Sequence, residues 1–142
     1  MTDSPAVPEG QPADAPLVAQ SLQVSLTVAA PRASAAWYRD ALGFTIDREF
    51  EREGRLIAVR LRAGDVQVLL TQEDGAKGTV RQKGEGFSFQ ITTTQPIDAI
   101  AARARQAGAA LDLEPTDALG ARVFRLRDPD GFRITVSSPR EN

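Results

Sequence analysis

The chain contains neither cysteine nor histidine. Without cysteine there are no disulfides, no thiolate nucleophiles and no sulfur-ligated metals. Without histidine the commonest metal ligand is missing, together with the only side chain whose unperturbed pKa lies near neutrality. Any Ser–His, Cys–His or other histidine-based acid–base mechanism within this chain is therefore excluded. A large excess of either charge is also lacking. The net charge is −2, so no strong basic field draws the chain to nucleic acid or to an anionic membrane, and neither is expected as a partner. The first basic residue is Arg32, and no long apolar run follows Met1. That start does not read as a secretory leader, and no segment reads as a membrane span, so a cytoplasmic protein is expected.

What is present fits one soluble domain. The 142 residues are 42% hydrophobic and 25% charged, which is enough apolar matter to bury a core. Residues 1–20 stand apart, with Pro5, Pro8, Pro12 and Pro16 spaced by small and acidic residues. Ordering a residue costs about 1–2 kcal/mol. So few apolar side chains cannot repay that, and a disordered tail is expected over 1–20, followed by a single domain over 21–142.

From Leu22 the pattern changes. Leu22, Val24, Leu26 and Val28 alternate with Gln23, Ser25 and Thr27, the period of a half-buried strand. Pro31 then opens a helix that Gly43 closes, although Ala30 is a poor cap for its start. Three strands are expected near 44–52, 55–62 and 65–71. After a polar, glycine-rich linker at 73–85 the order recurs. Phe87, Phe89 and Ile91 alternate with polar residues, Pro96 and Gly108 bracket a helix, and strands are expected near 110–114, 121–127 and 132–137. Asp128-Pro129-Asp130-Gly131 has the composition of a type I turn.

The recurrence has a fixed offset. Pro31 and Pro96 are 65 residues apart, and so are Gly43 and Gly108, Arg60 and Arg125, Arg62 and Arg127, and Asp65 and Asp130. Agreement across helix start, helix stop, hairpin and strand register points to two copies of one βαβββ unit, spanning 21–72 and 86–138. Neither looks large enough to stand alone.

The run Trp37-Tyr38-Arg39-Asp40-Ala41-Leu42-Gly43-Phe44 resembles the aromatic–Tyr–x–x–x–Leu–Gly–Phe signature that ends the first helix in the glyoxalase/bleomycin-resistance/dioxygenase (vicinal oxygen chelate) superfamily. Asp128-Pro129-Asp130-Gly131 resembles that family's late hairpin, with Phe132 in place of the usual Asn. The resemblance spans about 21–138. It implies an α+β fold in which two βαβββ modules form curved mixed sheets around a concave cavity, and commonly a homodimer. Metal-using members carry one ligand on the first and one on the last strand of each module. In this chain those positions fall at Gln23, about Leu69, Gly86 or Ser88, and Thr135. An aliphatic side chain, a glycine or serine, and a threonine cannot replace imidazole and carboxylate around a first-row metal. No metal site, cofactor or catalytic residue is assigned.

Strand alternation then sorts the remaining candidates. If the apolar positions face the helices, the opposite face carries Gln23, Ser25, Ser88 and Gln90, joined from the last strands by Leu69, Arg133 and Thr135. Such a lining is neutral and hydrogen-bonding with one cation, and suits a small polar or mildly anionic ligand. Phe50 and Phe124 belong either to its wall or to the core, and Arg133 is either an anion anchor or a surface charge. The bland reading of the polar face is solvation or a dimer contact. Three functions compete. They are a metal-independent binder that sequesters a drug or metabolite, a metal-dependent lyase, isomerase or dioxygenase, and a non-catalytic dimerisation or accessory domain.

Overall fold

The computed structural model describes residues 15–73 and 86–139. Most of the expected disordered tail, residues 1–14, and the linker at 74–85 lie outside them. The elements run β1 (Gln23–Val28), α1 (Pro31–Trp37), a π-helical turn (Tyr38–Leu42), β2 (Thr45–Arg52), β3 (Arg55–Ala63), β4 (Val66–Gln72), β5 (Ser88–Thr92), α2 (Ile97–Gln106), β6 (Leu111–Ala118), β7 (Ala121–Arg127) and β8 (Arg133–Pro139). Pro31 is the first residue of α1, where its missing N–H is no loss. Gly43 ends the π-helical turn at φ 81°, a conformation that glycine adopts without penalty. Strand β6 runs past Pro115 to Ala118, beyond the expected end. It is the outermost strand of its sheet, where a residue without an N–H is tolerated.

Each module makes one four-stranded mixed sheet, ordered β1-β4-β3-β2 and β5-β8-β7-β6, with the first pair parallel and the others antiparallel. The expectation of curved sheets around one concave cavity is corrected here. The two sheets are separate and open, and no strand of one pairs with a strand of the other. The reason lies in which faces meet. Leu26, Val28, Leu61, Val68 and Leu70 of the first sheet and Phe124, Leu126, Ile134 and Val136 of the second belong to a single buried cluster with Tyr38, Ala101 and Ala104. The helix-bearing faces therefore share the core. Each large aliphatic side chain buried there contributes about 1.5–3 kcal/mol.

Polar fastenings join the modules over that core. The Tyr38 hydroxyl donates to Asp128 Oδ2 at 2.7 Å, while Asp128 Oδ1 accepts the backbone N–H groups of Asp130 and Phe132. Asp130 accepts the Ala29 N–H at 3.0 Å and the Ser34 hydroxyl at 3.3 Å. The residue before the α1 N-cap and a side chain of its first turn are thus held by the second module, although the helix itself has no side-chain cap. In the other direction Arg103 of α2 donates to the carbonyls of Arg39 and Asp40 at 3.1 and 3.2 Å. Those carbonyls end a helical segment, where cationic donors are favourable. Burial pushes the Asp128 carboxyl above the usual carboxylate range, against the three donors that favour its charge. Burial first, then the Asp128 charge, pushes the Tyr38 hydroxyl up as well.

Candidate functional site

The alternation read from the sequence holds within β1 and β5 but fails just before each, where Leu22 and Phe87, expected to face the helices, are exposed and Phe87 stands at an outer-face cleft. Gln23, Ser25 and Thr27 are exposed while Leu26 and Val28 are buried, and Ser88 and Gln90 are exposed while Phe89 is buried. On the outer face of the first sheet, Ser25 pairs with Leu69, Leu69 with Arg60, and Arg60 with Arg48. Phe50 lies one row further on, half-buried, with the Arg48 and Arg60 guanidinium carbons 4.7 and 5.7 Å from its ring centre. Asp47, the extra residue of a bulge in β2, takes Arg60 at 2.8 Å and Arg62 at 3.9 Å. This face is occupied by its own side chains.

The outer face of the second sheet is different. Ser88, Gln90, Arg133 and Thr135 line one open cleft of about 380 Å³, with Phe87, Asp112 and Arg125. Ser88 pairs with Arg133, Gln90 with Thr135, and Thr135 with Arg125, so these side chains stand on one rigid patch of three adjacent strands. Asp112 sits at a bulge matching that of Asp47, but it pairs with Arg127 at 2.9 Å. Arg125 and Arg133 have no ion pair among the described residues.

The sequence-selected residues thus divide. None of Gln23, Ser25, Leu69 and Phe50 lines the cleft that Ser88, Gln90, Arg133 and Thr135 share. Phe124 lies on the opposite face, beside Val136, fully buried in the core and remote from any outer-face ligand. Phe87, Asp112 and Arg125 are among the cleft residues that were not selected from the sequence. Arg125 faces outward because Phe124 and Leu126 on either side of it are buried, a facing the sequence left open together with that of Phe124. A second cleft of about 640 Å³ runs between the modules, walled by Phe44, Val66, Ile91 and the Thr92–Gln95 segment. Its cation, Arg103, is already engaged with the carbonyls of Arg39 and Asp40.

The positions where the fold would hold a metal do not fit one. Gln23 and Ser88 are exposed, Leu69 is half-buried, and Thr135 is buried. Among the described residues no three Asp or Glu side chains come together in a group able to hold a metal ion.

The family model described as the glyoxalase/bleomycin resistance protein/dioxygenase superfamily matches residues 20–136, and the chain belongs to that superfamily. It does so without a recognisable metal-binding cluster among the described residues. No curated protein sequence matches it significantly. Among solved structures, a hypothetical protein from S. aureus is 22% identical with a TM-score of 0.69, over 85% of this chain and 95% of the other. TioX from Micromonospora sp. ML1 is 21% identical with a TM-score of 0.67, over 85% and 99%. TnmS3, an antibiotic binding protein from Streptomyces sp. CB03234, is 18% identical with a TM-score of 0.68, over 86% and 97%. At these identities the likeness is one of fold.

Proposed function

We propose that this chain is a metal-independent binding protein for a small molecule, a drug or a metabolite, that it acts as a cytoplasmic homodimer, and that the ligand sits on the outer face of the second sheet. The observation that carries the reading is the cleft itself. Two hydroxyls, an amide and a guanidinium from Ser88, Thr135, Gln90 and Arg133 converge there on strands that are held rigidly by the core. Its volume lies at the low end of the range of about 300–1,000 Å³ usual for ligand pockets. The fold likeness to an antibiotic binding protein supports the same reading. One chain leaves the cleft open on one side, and a second copy seated on that face would close it.

Native mass spectrometry of the purified protein, with and without EDTA, combined with a thermal-shift screen of small polar compounds, tests this. The expected result is a dimer mass and a compound that raises the melting temperature equally in both conditions. A stoichiometric metal with metal-dependent turnover would overturn the reading, as would a monomer that no compound stabilises.

A further inference from the structure

We propose that the cleft on the second sheet is built for an organic anion, a carboxylate carried on a small flat apolar body such as a single aromatic ring. The inference rests on the reading of that cleft as the ligand site.

It starts from a comparison of equivalent positions. Arg60 and Arg125 occupy the same place in the two modules, pairing with Leu69 and Thr135 respectively. In the first module Arg60 is engaged twice, by Asp47 at 2.8 Å and by the Phe50 ring. In the second module both engagements are gone. Asp112, the counterpart of Asp47, goes to Arg127, and the position matching Phe50 in the strand register is Thr116. The counterpart of Gln67, paired with the first strand of its module, is Arg133. One module therefore neutralises and stacks its cations, whereas the other turns two of them into a cleft.

Arg125 and Arg133 lie diagonally across the β7–β8 pair, with Thr135 opposite Arg125. Diagonal neighbours on one sheet face are about 7–8 Å apart, within reach of long side chains converging on one group. Two guanidinium groups so close together, with no ion pair among the described residues, on an acidic protein call for an anion. Their planar forks match a carboxylate in geometry as well as charge. Ser88, Gln90 and Thr135 add uncharged hydrogen-bonding groups around it. The apolar part of the ligand is indicated by Phe87. It is 42% exposed at the cleft wall and held edge-on against Phe132, with ring centres 6.2 Å apart. An aromatic ring fixed in place and left open to a cleft is a surface for a flat apolar group.

Calorimetric titration of the wild-type protein with benzoate, benzamide and inorganic phosphate, at one ionic strength, tests the ligand class. The expected result is that benzoate binds at least tenfold more tightly than benzamide and more tightly than phosphate. Arg125→Gln and Arg133→Gln each weaken benzoate at least tenfold while leaving benzamide unchanged. Both arginines are exposed, and an unchanged melting temperature confirms that the variants fold. Benzamide binding as tightly as benzoate would overturn the anion, and phosphate binding as tightly would overturn the aromatic body. Benzoate binding that survives both substitutions would overturn the assignment of the two arginines. In each of these cases the protein is still a small-molecule binder. Failure of all three probes while other compounds stabilise the protein in the thermal screen overturns the ligand class alone. Failure of every compound overturns the binding reading itself.

Discussion

The two modules share a plan and differ in what each does with its polar residues. In the first, the β3–β4 connection is the tight turn between paired Ala63 and Val66. In the second, Arg127 and Arg133 are the last paired residues, and the loop Asp128–Phe132 between them is longer. That extra length carries Asp128 and Asp130 to Tyr38, Ser34 and the start of α1. Asp65, the sequence counterpart of Asp130, makes no such bond among the described residues. The outer faces diverge in the opposite sense. The first module engages Arg48, Arg60 and Arg62 with Asp47 and Phe50, and the second leaves Arg125 and Arg133 without an ion pair among the described residues. A duplicated unit has thus kept its core and divided its polar work: one copy receives the fastening, and the other supplies it and keeps a cleft.

The largest test of that division concerns the two phenylalanines that the sequence left undecided. Phe124→Ala removes a ring from the sealed core and should lower the unfolding free energy by about 3–5 kcal/mol. Phe50→Ala removes a ring lying against exposed Arg48 and half-buried Arg60 and should cost about 1 kcal/mol beyond its partial burial. Urea denaturation of the two variants side by side gives the ratio. Equal losses would contradict the placement of Phe124 and Phe50 on opposite faces.

The fastening comes next. Tyr38→Phe takes a donor from a buried carboxylate and should cost about 1.5–3 kcal/mol, the range for hydrogen bonds to charged groups. Combined with Asp128→Asn, the losses should fall short of their sum by at least about 0.5 kcal/mol, because the residues share one bond. Strict additivity would show that the modules are held together by the apolar core alone.

The pH dependence has a definite sign. Burial raises the folded-state pKa of Asp128 above the ordinary carboxylate value. Its proton is held more tightly in the folded chain than in the unfolded one. The stability this contributes is complete below the unfolded pKa and is lost as pH rises through the raised value. Urea midpoints measured from about pH 4 to pH 7 should therefore fall in the wild type relative to Asp128→Asn, which carries no titrating group there. A wild type that gains on the variant as pH rises would reverse the sign and the cause given for it.

The smallest effect on stability is the most direct transplant between modules. Thr116→Phe places an aromatic ring where the first module has Phe50 and offers Arg125 a stacking partner. Stability should change by no more than about 0.5 kcal/mol, as for most surface substitutions. Benzoate affinity should nonetheless drop several-fold in calorimetry. An unchanged affinity would separate the cleft from the open state of Arg125.

Much of this was legible in the sequence, for local reasons. Alternation over Gln23–Val28 and Ser88–Thr92 fixes which side chains share a face, because successive residues of a strand point to opposite sides. Pro31 and Gly43 bracket a helical segment through their own backbone preferences. Phe50 and Phe124 were not legible. Phe124 follows another apolar residue, Val123, and only the pairing of Phe124 with Val136 and of Val123 with Ser137 shows which of the two faces the helix. The length of β6 was hidden for a similar reason, since Pro115 ends a central strand but not an edge strand.

By itself the sequence determined the duplicated βαβββ unit, the polar outer faces, and the lack of any imidazole, thiol or carboxylate set where the family's metal would sit. These follow from residue type and from periods of two to four residues along the chain. Only the tertiary structure decided that the helix-bearing faces share one core, that a turn in the second module ties down the chain entering a helix of the first, and that Asp112 chooses Arg127 and leaves Arg125 without an ion pair among the described residues. Those outcomes depend on which strand lies beside which, and on loop lengths that carry a carboxylate across a hundred residues of sequence. Short-range pattern carries no record of either.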